Sequence, residues 1–261
     1  MDWGWIARLF DPYERQARIA PALLVCLPVI VTAGAWFPAA FTGAQLASGS
    51  IVAYLGIAIL ATFARDAGKR VEPALFNSWG GTPTTLLLRH RDSTLDATTK
   101  QRIQAVLGAR IPGIHLPSAA EEARSPEAAD DVYASAIAWL RERTRETKKF
   151  PLVLAENIGY GFRRNTFGVR RPALSVALGA LVLNIIGVAW TIGPNLSQLS
   201  ATTIAAILIT VALLMFWFGL VREPWVKEAA FAYAHRLLAA CDSPFLTESA
   251  NAKVRTKPAP L

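Results

Sequence analysis

Two stretches of this chain contain no Lys, Arg, Asp or Glu: 46 residues between Arg18 and Arg65, and 50 between Arg171 and Arg222. A helix crosses about 30 Å of hydrocarbon with about 20 apolar residues, so each stretch is too long for one span and fits two joined by a turn. The first hairpin is expected to run over residues 19–37, to turn through 41–50 with Gly43, Gln45, Ser48, Gly49 and Ser50, and to return over 51–64. The second is expected over 173–192, with a turn at Gly193, Pro194, Asn195 and Gln198 and a return over 201–221. The pattern predicts an all-α membrane protein in which two transmembrane helical hairpins flank a cytoplasmic α-helical domain. With 53% hydrophobic and 18% charged residues, the chain is neither a plain soluble globule nor disordered. Two distant cysteines, Cys26 and Cys241, exclude a disulfide-stapled scaffold.

The placement of 27 basic residues against 19 acidic ones sets the orientation. Three basic residues precede the first hairpin, 18 lie between the hairpins and six follow the second, while both turns have none. Basic residues near span ends stay in the cytoplasm, so the N-terminus, the middle segment and the C-terminus are expected there. The resulting divisions are an interfacial segment over 1–18, hairpins over 19–64 and 173–221, and a helical domain over 65–172 between them. A cytoplasmic helix over 222–247 and a disordered tail over 248–261 follow. The N-terminal segment has an apolar stripe of Trp3, Ile6 and Phe10, ended by Asp11 and Pro12, and fits an interfacial helix better than a cleaved signal peptide.

Inside the spans no charged residue is placed to couple transport to ions or protons. The polar residues there are Thr32, Thr62, Ser175, Asn184, Thr191 and Thr210. Asn184, the deep amide, is expected either to hydrogen-bond another helix or to line a wet cavity. Ser175, Gly179 and Gly187 offer a close-approach face for helix association. Pro28 is expected to kink the first span, as a structural feature or as a gate. Four thin uncharged helices do not enclose a hydrophilic channel in one chain, so a pore requires a homo-oligomer, and arginines at its cytoplasmic mouth would favour anions.

Between the hairpins the start signals of helices recur. Thr82 and Pro83 precede a helix to His90, Asp96 one that ends at Gly108, and Ser118 with Glu121 forms a capping box. Ser125, Pro126 and Glu127 open the longest helix of this segment, Pro151 opens another, and Pro224 to Ala240 reads as a further one. Two basic collars, Arg65, Lys69 and Arg70, then Arg163, Arg164, Arg170 and Arg171, fit anchoring to anionic headgroups. With Arg89, His90 and Arg91 added, they fit an anion or phosphate site as well.

Catalytic patterns fail in detail. His90, Arg91 and Asp92 lack the following asparagine of a kinase loop, since Ala97 stands there, and Gly80, Gly81 and Thr82 lack a phosphate-loop lysine. His90, His115 and His235 have no zinc spacing. No enzyme, metal or cofactor is expected.

Two strings are distinctive: Phe76, Asn77, Ser78, Trp79, Gly80, Gly81, Thr82, Pro83 and Thr84 with Leu88 to Asp92, and Glu156, Asn157, Tyr160, Gly161, Phe162, Arg163, Arg164 and Asn165. Over roughly residues 65–171 they resemble a family of bacterial proteins with two membrane hairpins around a cytoplasmic helical domain. The architecture is also similar to the membrane effectors of nucleotide-signalled anti-phage systems of the Hailong type, in which a nucleotidyltransferase makes an oligonucleotide signal that controls an oligomeric ion-conducting effector. The resemblance implies a homo-oligomeric, ligand-gated pore of the bacterial inner membrane, with a nucleotide or oligonucleotide ligand and a genomically linked nucleotidyltransferase. It implies that Trp79, Arg89, His90 and Arg91 hold phosphates and stack a base, and that Arg163 and Arg164 couple occupancy to the pore. A non-conducting, membrane-anchored scaffold accounts for the same hairpins with fewer assumptions.

Overall fold

The computed structural model describes residues 11–41, 43–191 and 199–247, with 40, 41 and 43–55 described by backbone alone. The described residues form helices and connecting turns, with no strand among them. In chain order the α-helices are α1 (Ala20–Trp36), α2 (Gly43–Trp79), α3 (Pro83–Leu88), α4 (Ala97–Arg110), α5 (Ala119–Arg124) and α6 (Pro126–Arg143). They continue as α7 (Pro151–Gly168), α8 (Arg170–Thr191), α9 (Ala201–Met215), α10 (Glu223–Ala239) and α11 (Pro244–Thr247). The stripe of Trp3, Ile6 and Phe10, the turn at Gly193, Pro194, Asn195 and Gln198, and the tail over 248–261 lie outside the described residues.

The chain divides into two compact units, Met1–Pro73 with Ile158–Lys227, and Ala74–Asn157 with Glu228–Leu261. The division falls inside α2, α7 and α10, and so differs from the boundaries read from charge alone. Three helical stretches among the described residues are long and apolar enough to cross a membrane: Glu14–Trp36, Arg170–Thr191 and Ala201–Leu220. All three belong to the first unit. The first opens with a π-helical turn, Glu14–Ile19, and the third closes with another, Phe216–Leu220.

In the first unit α1, α8 and α9 pack against one another. Their inward positions are small or polar: Ala173, Ala177, Ala180 and Asn184 on α8, and Thr203, Ala206 and Thr210 on α9. Large apolar side chains point the other way, with Leu183, Ile185 and Ile186 exposed on α8 and Leu208 and Met215 on α9. Small side chains let backbones approach, and apolar outer faces cost nothing where the surroundings are lipid. Helix α1 stops at Trp36 because Phe37 precedes Pro38, which disfavours the helical conformation at Phe37. A short 3-10 turn, Pro38–Phe41, follows. Helix α2 then begins at Gly43, which corrects the expected turn: Gln45, Ser48, Gly49 and Ser50 are helical, and the break lies at Pro38.

The second unit has the opposite distribution. Leu87, Leu88, Ile103, Leu107, Tyr133, Ile137, Leu140, Leu237 and Leu238 are buried together as a core of large apolar side chains. The predicted capping box forms: Ser118 accepts from the Glu121 backbone while the Glu121 carboxylate accepts from Ser118. Asp96 caps α4, which runs past Gly108 to Arg110, because Gly108 has room and Ile111 turns extended only beyond Arg110. Helix α3 ends at Leu88 rather than His90, as Arg89 adopts an extended conformation.

Candidate functional site

The turn from Arg89 to Asp92 is built by its neighbours. Gly80 and Gly81, at φ +85° and +144°, reverse the chain after α2, a conformation that side-chain-bearing residues resist. Buried Leu87 and Leu88 then anchor α3 and leave the next residues to turn. Arg89 grips both oxygens of Asp130 on α6, Nε at 2.7 Å and Nη2 at 2.5 Å, and its Nη1 donates to the Gly80 carbonyl at 2.9 Å. The Glu122 carboxylate, 3% exposed, accepts from the His90 backbone N–H at 2.7 Å, from Tyr133 Oη at 2.8 Å and from Arg91 Nη1 at 3.2 Å. Burial works to raise the Glu122 pKa, but the bonds from His90, Tyr133 and Arg91 and the Arg91 charge outweigh it and hold the carboxyl below its ordinary range. His90 Nε2–H donates to the Pro117 carbonyl at 3.0 Å. From the other side the buried Lys100 ammonium donates to the carbonyls of Arg89 and Asp92.

Trp79 is buried, edge-on to Phe76 at 5.8 Å and tilted against Phe231 at 6.5 Å. The structure therefore places Trp79, Arg89, His90 and Arg91 in the second unit and ties their polar groups into its interior. In this arrangement the guanidinium fork of Arg89 is filled by Asp130.

Arg163 and Arg164 belong to the first unit, and their side chains part. Arg164 is buried: Nη1 lies 3.0 Å from Glu72 Oε1, and Nε and Nη2 donate to Asn165 Oδ1 at 3.2 and 3.0 Å. Tyr160 Oη donates to the same Glu72 oxygen at 2.6 Å, and Asn165 Nδ2 donates to the Ala17 carbonyl at 2.6 Å. Burial, followed by the Glu72 charge, pushes the Tyr160 hydroxyl far above its usual range. Arg163 lies over the Trp225 ring, 5.3 Å from its centroid, and donates to the Trp225 carbonyl at 2.9 Å. Arg170 likewise donates to the Trp217 carbonyl at 3.0 Å, inside the π-helical turn.

Asn184 is fully buried among α1, α8 and α9. Its Nδ2 donates to Thr32 Oγ1 at 2.7 Å and to the Ala180 carbonyl at 2.8 Å, and its Oδ1 accepts from Trp36 Nε1 at 3.0 Å. Its hydrogen bonds thus join α8 to α1.

Sequence reasoning missed the partners: Asp130, Glu122 and Lys100 around the Arg89 turn, and Glu72, Tyr160 and Asn165 around Arg164. Tyr160 and Asn165 stood in the distinctive string with Arg164, and Glu122 beside the capping-box Glu121, whereas Asp130, Lys100 and Glu72 had no local signal. Among the described residues no group of His, Cys, Asp or Glu is arranged to hold a metal ion. Compared with protein-family models, curated proteins and solved structures, the chain has no match.

Proposed function

We propose that the chain is an oligomeric, ligand-gated membrane pore that acts as an anti-phage effector under a nucleotide signal. Its four spans would lie in the bacterial inner membrane, with both termini and the helical domain in the cytoplasm. The observation that carries this reading is α2, a helix of 37 residues and about 55 Å. Its first 22 residues are uncharged and match a fourth span in length. The same helix continues through Pro73 to Trp79 with no loop between. Gating then requires only that the ligand bind the open and closed states unequally. The apolar outer faces of α8 and α9 support assembly in the membrane, where several copies would enclose what one chain does not.

A non-conducting scaffold is favoured by one observation: Asn184 directs its hydrogen bonds to Thr32, Trp36 and Ala180 rather than to a water path. Conductance of the purified protein in planar bilayers, with and without cyclic and linear oligonucleotides, separates the two. Ligand-sensitive currents establish the pore; silence from folded, oligomeric protein establishes the scaffold. A neighbouring nucleotidyltransferase gene is the expected genomic company of the pore.

A further inference from the structure

The end of α6 and the chain beyond it concentrate charge: Arg141, Arg143, Arg145, Lys148 and Lys149 against Glu142 and Glu146. Beside this segment the second unit opens a cleft of about 520 Å³ whose walls include Arg110, Trp139, Arg143, Glu146, Lys149 and Phe245. Phe245 is 54% exposed, with the edge-on ring of Phe150 against it at 6.1 Å. Cations already lie over these rings: the Arg143 guanidinium is 5.3 Å from the Trp139 centroid and the Lys149 ammonium 5.7 Å from that of Phe245. Glu146 reaches Lys149 at 2.7 Å, an exposed pair that exchanges readily for a stronger anion. Arg143 has no carboxylate partner among the described residues, whereas Arg89, Arg91, Arg102 and Arg164 are each held by one.

Arg143 and Lys149 stand in this wall against the single carboxylate of Glu146, a balance that calls for an anion, and a solvated basic face needs no rings. Aromatic rings accompanied by guanidinium and ammonium groups suit a flat anionic compound, whose ring stacks while its phosphates pair with the cations. We propose that this cleft binds a nucleoside phosphate, the base stacked against Phe245 and Trp139 and the phosphates held by Arg143 and Lys149. The proposal rests on reading the helical domain as a ligand sensor. It moves the ligand away from the Arg89 turn, whose polar groups hold the domain together.

The full-length protein in phosphatidylcholine nanodiscs, titrated calorimetrically with ATP and with inorganic triphosphate, tests the site. ATP is expected to bind about tenfold tighter than triphosphate, and Phe245→Ala to erase that preference. Arg143→Glu is expected to weaken both by about tenfold or more, while Arg141→Glu, the same charge change beside a different cleft, leaves ATP within about threefold. Equal affinity for ATP and triphosphate, or ATP binding untouched by Arg143→Glu, overturns the proposal. Loss of ATP binding when phosphatidylglycerol replaces a third of the lipid assigns the cleft to lipid headgroups and overturns it too. Conductance is a separate readout: ATP bound at this cleft with no current under any condition supports the site and counts against the gated pore.

Discussion

Arg164 on α7 and Glu72 on α2, 92 positions apart, meet at 3.0 Å with side chains only 10% and 25% exposed. Arg163, the adjacent residue, instead lies over the Trp225 ring. A pair of arginines that looks uniform in sequence thus holds one interior ion pair and one cation–π contact. The interior ion pair, shared with Tyr160, fixes where α7 and α2 cross.

The two arginines should therefore respond differently to substitution. Arg164→Met leaves the half-buried Glu72 without its cation and is expected to cost about 3 kcal/mol. Combined with Glu72→Leu, most of that loss should return, because both charges are then gone. Arg163→Met gives up a cation–π contact and a hydrogen bond to the Trp225 carbonyl at a half-buried site, about 1–2 kcal/mol. Thermal unfolding in detergent micelles reads all three, and equal losses for Arg163→Met and Arg164→Met would refute the assignment.

Length and hydropathy were legible from the outset. Charge-free runs mark segments that only a bilayer solvates, and caps such as Asp96 and the Ser118–Glu121 box act over three residues, so sequence shows them directly. The break after α1 was misplaced because Gly49 and Ser50 resemble turn residues, whereas the restriction that Pro38 places on Phe37 ends α1, and α2 is already helical from Gly43. The roles of the basic residues were hidden for a different reason. Arg89 and Asp130 are 41 positions apart, and nothing local to either names the other. An arginine bound to an acid and an arginine open to a phosphate look the same until the fold brings the acid.

Asn184 gives a test that separates packing from pore lining. Asn184→Leu removes the acceptor of Trp36 Nε1 and the donor to Thr32 Oγ1. The expected loss is about 0.6–2 kcal/mol, the range of hydrogen bonds between membrane helices. If the side chain lines a conduction path instead, the variant will keep its unfolding midpoint and change ion selectivity, which the packing role does not predict.

Among the described glycines, Gly168 comes nearest to neighbouring backbone. A Cβ there would lie 2.4 Å from the Gly68 nitrogen and 2.5 Å from the Ala67 carbonyl carbon, backbone that has no side-chain freedom to yield. Gly168→Ala is expected to push α2 and α7 apart and cost about 3 kcal/mol. Gly179→Ala, where a Cβ meets nothing within 4 Å, should leave the folded chain unchanged. A loss on Gly179→Ala seen only in the oligomer, by crosslinking, would place that face at a subunit contact.

Glu121 and Glu122 are adjacent and should make the second unit sensitive to acid through different contacts. Hydrogen bonds from the Ser118 backbone and hydroxyl, then from His115, lower Glu121 from 4.5 to about 2. Glu122 is also held below its ordinary range, by His90, Tyr133 and Arg91 against the effect of burial. Both folded-state values are depressed, so both contributions are complete above the unfolded value near 4.5 and are lost as pH falls through the folded value of each, about 2 for Glu121. Glu121→Gln should flatten that decline and leave the midpoint near pH 2 equal to that of the unsubstituted protein. Glu122→Gln should cost about 2–3 kcal/mol at pH 7, because a charged acceptor for three donors is lost from a buried site. Unfolding midpoints measured from pH 7 to pH 2 decide it: a Glu122→Gln variant as stable as the parent at pH 7 would remove Glu122 from the centre of the turn.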